Sequence, residues 1–192
     1  MDAPPLLLTA DEYLRHPLGQ EPGELVRGVM HVMTPAGGPH GVVIENLVVA
    51  LGSHVRAHRL GRAFADNVGF QLDIPGETSD TVRSPDAAFV RTDRLPPGGV
   101  RAGWVRLAPD LAVEVLSPEN RPAEIEARVA DYLAAGTQLL WIIDPQARTV
   151  APRTPLGPLP TVGEDGTLDA GDVVPGFVMP VADLFDGLAR EP

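Results

Sequence analysis

The chain has 192 residues, 44% of them hydrophobic and 21% charged, which suits one domain large enough to bury a core. Its formal net charge is −11 and all 15 of its basic residues are arginine, so no step that needs a lysine side chain can run within it, and strong non-specific affinity for nucleic acid is disfavoured unless a local arginine patch exists. Cysteine is absent, which excludes disulfides and thiolate metal sites, and no apolar stretch approaches the roughly 20 residues that span a bilayer.

Met1-Asp2-Ala3-Pro4-Pro5 lacks a basic n-region and Leu6-Leu7-Leu8 is too short for an h-region, so a cytoplasmic location with no membrane contact is expected. Thr9-Ala10-Asp11-Glu12 fits a capping box and predicts a short helix to about His16, stopped by Pro17 and Gly19. Glu24 to Met33 reads as a strand pair turning at Arg27-Gly28. After a Pro/Gly loop over 34–39, the spacing of Val43, Leu47, Ala50, Leu51 and Val55 predicts a helix from His40 to Leu60, with Gly61 at the C′ position. Ala63 to Ile74 reads as one long strand or two pieces, and Pro85 to Val90 as a short apolar strand. An irregular loop follows from Thr92 to Pro109.

Asp110 to Leu116 is an almost unbroken apolar run, as expected of a central strand covered on both faces. Pro122 suits the first position of a helix that ends at Ala135-Gly136, and Leu139 to Ile143 is another apolar strand. The segment from Thr149 onward is rich in Pro and Gly, with a hairpin turn expected at Glu164-Asp165-Gly166-Thr167 and a last short helix over Val181 to Phe185. The order predicts an α/β (α+β) fold: one domain over 1–192 with a mixed central sheet flanked by helices, and a β-rich extension over 151–192 packed on the core.

Glu114 is the most informative position, because it sits between apolar neighbours in Leu111-Ala112-Val113-Glu114-Val115-Leu116. An unpaired charge buried there costs several kcal/mol, about what a cation, an arginine partner or a raised pKa must offset. Asp86 raises the same question in Pro85-Asp86-Ala87-Ala88. Two carboxylates on neighbouring strands suit Mg²⁺ or Mn²⁺, and a structural pairing with arginine accounts for them equally well.

Pro85-Asp86, Pro109-Asp110-Leu111-Ala112-Val113-Glu114-Val115-Leu116-Ser117-Pro118, Tyr132-Leu133-Ala134-Ala135-Gly136 and Trp141-Ile142-Ile143-Asp144-Pro145 together resemble the Uma2 family of restriction-endonuclease-like proteins, which is similar to the PD-(D/E)xK nucleases. Gly23-Glu24-Leu25-Val26-Arg27-Gly28 and Pro175-Gly176-Phe177 extend the likeness over most of the chain. The resemblance implies a restriction-endonuclease-like core and a divalent metal on Asp86 and Glu114, joined by the Val115 carbonyl. It also implies hydrolysis of a DNA phosphodiester by metal-activated water. It brings Glu24 close to the metal or its water, and His40 to a phosphate or a proton transfer.

The chain departs from the pattern in two places. Leu116 stands where the PD-(D/E)xK lysine would fall, and Arg128 where related sequences often carry a lysine on the following helix; arginine holds phosphate but is a poor base. Leu139 and Leu140 replace a glutamate often found before the tryptophan. The expected activity is a Mg²⁺- or Mn²⁺-dependent DNA endonuclease, with a homodimer as the means of cutting both strands. The alternatives are a catalytically inactive binding or assembly module on the same fold, or a metal-dependent hydrolase of a small phosphoester. His54 and His58, at i and i+4 beside Arg56, Arg59 and Arg62, read as a solvated polar face rather than a zinc site. Arg121 and Arg128, about two turns apart, could face one phosphate.

Overall fold

The computed structural model describes residues 7–190; the expectation for the N-terminal segment rests on residues outside that range for all but Leu7 and Leu8. The capping box forms as expected: Glu12 N–H donates to Thr9 Oγ1 at 3.2 Å and Thr9 N–H to Glu12 Oε2 at 2.8 Å, opening α1 (Ala10–Arg15). The expected strand pair is also present as β1 (Gly23–Val26) and β2 (Val29–Val32), in register Val26 to Val29. Arg27 (φ 49°) and Gly28 (φ 80°) form the two-residue loop, whose twist demands positive φ at both.

The long helix α2 spans Gly38–Ala57, two residues earlier at its start than expected, because Gly37 caps it and Pro39 fits its first turn. Its end is a correction. Arg59 (φ 54°), not Gly61, takes the left-handed conformation after the helix, and Gly61 already opens the strand β3 (Gly61–Ala65). Glycine is required at 61 for close approach instead: a Cβ there would lie 2.0 Å from the Val90 carbonyl oxygen. Gly61→Ala is expected to destabilise the protein by about 1–3 kcal/mol through forced displacement of two paired strands, read by chemical denaturation.

The 63–74 region resolves into two strands in different sheets, β3 and β4 (Phe70–Leu72). A further strand, β5 (Thr81–Arg83), has no counterpart in the sequence reading. It lies inside a four-stranded sheet ordered β2-β1-β5-β4. The main sheet is built from β6 (Ala87–Arg91), β7 (Leu111–Val115), β8 (Leu139–Asp144), β9 (Thr149–Thr154) and β10 (Gly157–Pro158), ordered β10-β9-β8-β7-β6-β3. A further strand, β11 (Val162–Gly163), also pairs with β9. Only β7 and β8 run parallel, joined through α3 (Pro122–Ala134), so the sheet is mixed. Every residue of β7 is buried, as its unbroken apolar run requires.

One face of this sheet packs on α2 through Val43, Leu47, Leu51 and Val55. The other packs on α3 through Ile125, Val129 and Tyr132. The C-terminal segment supplies β9 to the main sheet and buries Leu168, Phe177, Met179, Val181 and Leu184 in the α2-side core. The turn at Glu164–Thr167 does not close a hairpin: β11 before it pairs with β9, while β12 (Thr167–Asp169) after it pairs with β13 (Val178–Pro180). The short helix α4 (Val181–Leu184) follows as expected. No helix among the described residues is long and apolar enough to cross a membrane.

Candidate active site at the end of the central strand

The site forms where β7 ends, β6 begins and α2 starts. Ala87 pairs with Val113, so Asp86, just before β6, lies across from Glu114. The turn before β6 is tied to β7 by the main chain, Asp86 N–H donating to the Val113 carbonyl at 3.0 Å. Asp86 Oδ2 then accepts from the Val115 N–H at 2.6 Å and from His40 Nε2 at 3.2 Å. This places the first-turn imidazole of α2 against the carboxylate at the strand end. His40 keeps its proton to higher pH than usual, mainly because of the Asp86 hydrogen bond. Burial opposes this, and the charges of Asp86 and Asp66 and a bond to the Val115 backbone reinforce it.

Glu114 projects from β7 towards α3, within reach of Arg128. It is 6% exposed, and its Oε1 is buried with no hydrogen-bond partner. Burial pushes its pKa up to about 8; Arg128 opposes that, and the charges of Asp86 and Glu24 add to it. The cation nearest to it is Arg128, whose Nη1 is 3.5 Å from Glu114 Oε2 and 2.7 Å from Glu24 Oε1. The buried Tyr132 hydroxyl, one turn on from Arg128, sits beside Glu114 without closing a hydrogen bond.

Glu24 is saturated. Its Oε2 accepts from Arg83 Nη1 at 2.7 Å, and its Oε1 from the Ser84 N–H at 3.1 Å as well as from Arg128. Arg83 spans from Glu24 to Asp131, donating through Nε at 3.0 Å, and Arg27 Nη2 reaches the other Asp131 oxygen at 2.9 Å. Glu24, Arg83 and Asp131 are each at most 5% exposed, so this is a buried chain of alternating charges that ends on the Arg128–Glu114 pair. A recess of about 380 Å³ opens beside His40, lined by Ile44, Glu45, Ala65 and Asp66 among others. Burial and the nearby Asp86 raise the pKa of Asp66.

Asp86, Glu114, Val115, Arg128, Glu24 and His40 are thus brought to one end of the sheet. Arg121 does not join them: it stays exposed at the start of α3 while Arg128 is drawn inward. Leu116 packs against the α3-side core, and Leu139 and Leu140 are buried within the sheet, so all three are apolar by position. Arg83, Asp131 and Asp66 went unnoticed in the sequence, and Tyr132 entered only as part of the Tyr132-Leu133-Ala134-Ala135-Gly136 likeness. For Asp131 a signal existed, an acid among the inward positions Ile125, Arg128, Val129 and Tyr132; Arg83 lies in a segment too short and polar to read as a strand.

Asp86, Glu114 and the Val115 carbonyl form an all-oxygen donor set of the kind that hard divalent cations take. The orphaned Glu114 Oε1 fits such an ion, whereas Glu24 has no oxygen left free of a protein donor. Among the described residues, no three acidic or histidine side chains converge closely enough to hold a metal by themselves, so backbone or solvent oxygen would have to complete the shell.

A family model described as "Uma2: Putative restriction endonuclease" matches residues 10–182. A crystal structure of "a putative nuclease belonging to DUF820 from Anabaena variabilis ATCC 29413" is similar with a TM-score of 0.77 and 25% sequence identity, over 93% of this chain and 97% of that one. No protein with a curated description matches.

Proposed function

Because the chain belongs to the Uma2 family, we propose that it is a nuclease that hydrolyses DNA phosphodiester bonds with Mg²⁺ or Mn²⁺ held by Asp86, Glu114 and the Val115 carbonyl. The observation that carries this is the buried, unpartnered carboxylate oxygen of Glu114 at the end of a central strand, across the ladder from Asp86. A carboxyl group is an expensive thing to bury with one oxygen unused, and a cation site gives it a purpose. A divalent ion there would supply positive charge for the scissile phosphate and lower the pKa of a water molecule.

The protein's own groups divide the remaining work. Arg128 is steered by Glu24 and Glu114, and its remaining N–H groups would bind a non-bridging phosphate oxygen. It cannot act as a base, so the missing lysine is replaced in charge but not in proton transfer. His40 Nε2 holds a proton against Asp86 Oδ2 and is placed to give it to the oxygen that leaves phosphorus. Glu24 and Arg83 fix the position of Arg128. Two such sites are needed to cut a duplex through, which a homodimer would provide.

The test is calorimetric titration of Mg²⁺ and Mn²⁺ into the wild type and Asp86→Ala/Glu114→Ala, with plasmid nicking assayed on the same samples. Binding and nicking, both lost in the double variant, are expected. Binding without nicking would redirect the proposal to a small phosphoester. Absence of binding, with a double variant at least as stable as the wild type, would leave only a carboxylate-bearing scaffold.

A further inference from the structure

The polar face at the far end of α2 lies outside the candidate active site. In this acidic chain most arginines are committed to carboxylates: Arg27, Arg83, Arg91, Arg94, Arg106, Arg128, Arg148, Arg153 and Arg190 each pair with an acid. Arg56, Arg59 and Arg62 are exposed and enter no ion pair among the described residues. All three fall at the junction of α2 and β3. Arg91 joins them, because Gly61 pairs with Arg91 across the β3–β6 ladder; its one acid partner is Asp93 at 3.2 Å, with both side chains largely exposed.

Two of these groups, Arg59 and Arg91, border a depression, and Arg56 and Arg62 are outside its lining. A recess of about 360 Å³ lies between Arg59 and Arg91, with Leu60, Thr92, Asp93 and Pro175 in its walls. The left-handed backbone of Arg59 turns the chain there, and its carbonyl accepts from Thr92 Oγ1 at 3.2 Å, which ties the two rims together. The His54 and His58 rings lie 4.3 Å apart between centroids and tilted by 34°, with His54 Nε2 at 3.0 Å from the Pro175 carbonyl. The histidines are therefore tied to this surface and to each other, and the arginines are left free.

Arg56 lies about 24 Å along the helix from His40 at 1.5 Å per residue, or about seven base pairs of duplex. From Arg62, β3 leads back along the sheet edge to Asp66, which lines the recess beside His40. Resting on the nuclease reading above, we propose that Arg56, Arg59, Arg62 and Arg91 form a phosphate-binding patch. It would hold the DNA backbone away from the cleavage point and anchor an otherwise acidic protein on its substrate. Such contacts position a duplex without reading its sequence.

Helix-end arginines also offset the negative end of the helix dipole, but that role would not show in the salt dependence of DNA binding. The test uses the full chain and Arg56→Gln/Arg59→Asn/Arg62→Gln, with asparagine at 59 because it tolerates positive φ. Anisotropy of a fluorescein-labelled 20-base-pair duplex is followed in Ca²⁺ from low to moderate salt. The slope of log K against log salt is expected to shrink by about 2–3 in the variant, with affinity at least about tenfold weaker. Magnesium binding by calorimetry should stay unchanged, and the thermal midpoint should fall by no more than a few degrees, the loss of the helix-dipole contribution.

An identical affinity and slope in the variant, or no duplex binding by the wild type, would overturn the patch. So would a variant that loses only self-association in sedimentation, since the patch would then dock a second copy. The two readings fail separately. If the wild type nicks plasmid and the variant does so at the same KM, the patch is wrong and the nuclease stands. If the variant loses duplex binding but the wild type nicks nothing, the patch stands and the nuclease reading falls.

Discussion

Replacing Arg83 by methionine is expected to destabilise the protein by about 3–5 kcal/mol, the cost of breaking a buried ion network from one side. Arg83 is the only residue that touches both Glu24 and Asp131 among the described contacts, and each of these acids is 2% exposed. Without it, Asp131 keeps Arg27, whose side chain is 44% exposed, and Glu24 keeps Arg128. Neither is positioned to replace the lost bonds, so charge is left in low dielectric. In a protein of this size the loss lowers the thermal midpoint by roughly 10 °C, measurable by calorimetry. Arg83→Lys should recover only part of it, because one ammonium cannot serve two carboxylates with a planar fork. A loss below about 1 kcal/mol would show that the network contributes little to the fold.

The other large effect is expected at Glu114, where activity and stability should move in opposite directions. Glu114→Gln keeps the shape of the side chain and removes its charge. Nicking should fall about 10³-fold or more, as several kcal/mol of metal-linked stabilisation is lost. Stability should respond according to pH. The folded pKa of Glu114 is pushed up to about 8 by burial, above the usual carboxylate value. Between that usual value and about 8 the folded chain holds a proton that the unfolded chain has lost. Stability therefore declines as pH rises through that window. The glutamine variant lacks this decline and should exceed the wild type by on the order of 2–3 kcal/mol at alkaline pH.

His40 acts in the same direction. Its raised pKa contributes stability that is complete below the unfolded histidine value and is lost as pH rises through the folded value. That part of the pH dependence should survive in Glu114→Gln and disappear in His40→Gln. Denaturation curves from pH 5 to 9 on the three proteins separate the two groups; parallel curves for wild type and Glu114→Gln would show that the carboxyl is ionised throughout.

Much of the architecture could be read without coordinates because local physics decided it. The capping box at Thr9, the Arg27-Gly28 turn, the apolar stripe of α2 and Pro122 at the start of α3 each act within a few residues. A carboxylate inside the apolar run of β7 marked the candidate site for the same reason, since no solvated strand needs one there. Asp86 and Glu114 could be paired because neighbouring strands present opposed residues to each other.

What sequence could not supply was the identity of the partners. Arg83 and Asp131 lie 48 residues apart, and Arg128 and Glu24 lie 104 apart; β5, which carries Arg83, is too short to announce itself. Gly61 looked like a helix terminator and is instead a point of close strand contact. Local sequence sets backbone conformation and the cost of burying a charge. Which cation meets that charge depends on sheet order and helix placement, and these are fixed only when the whole core closes.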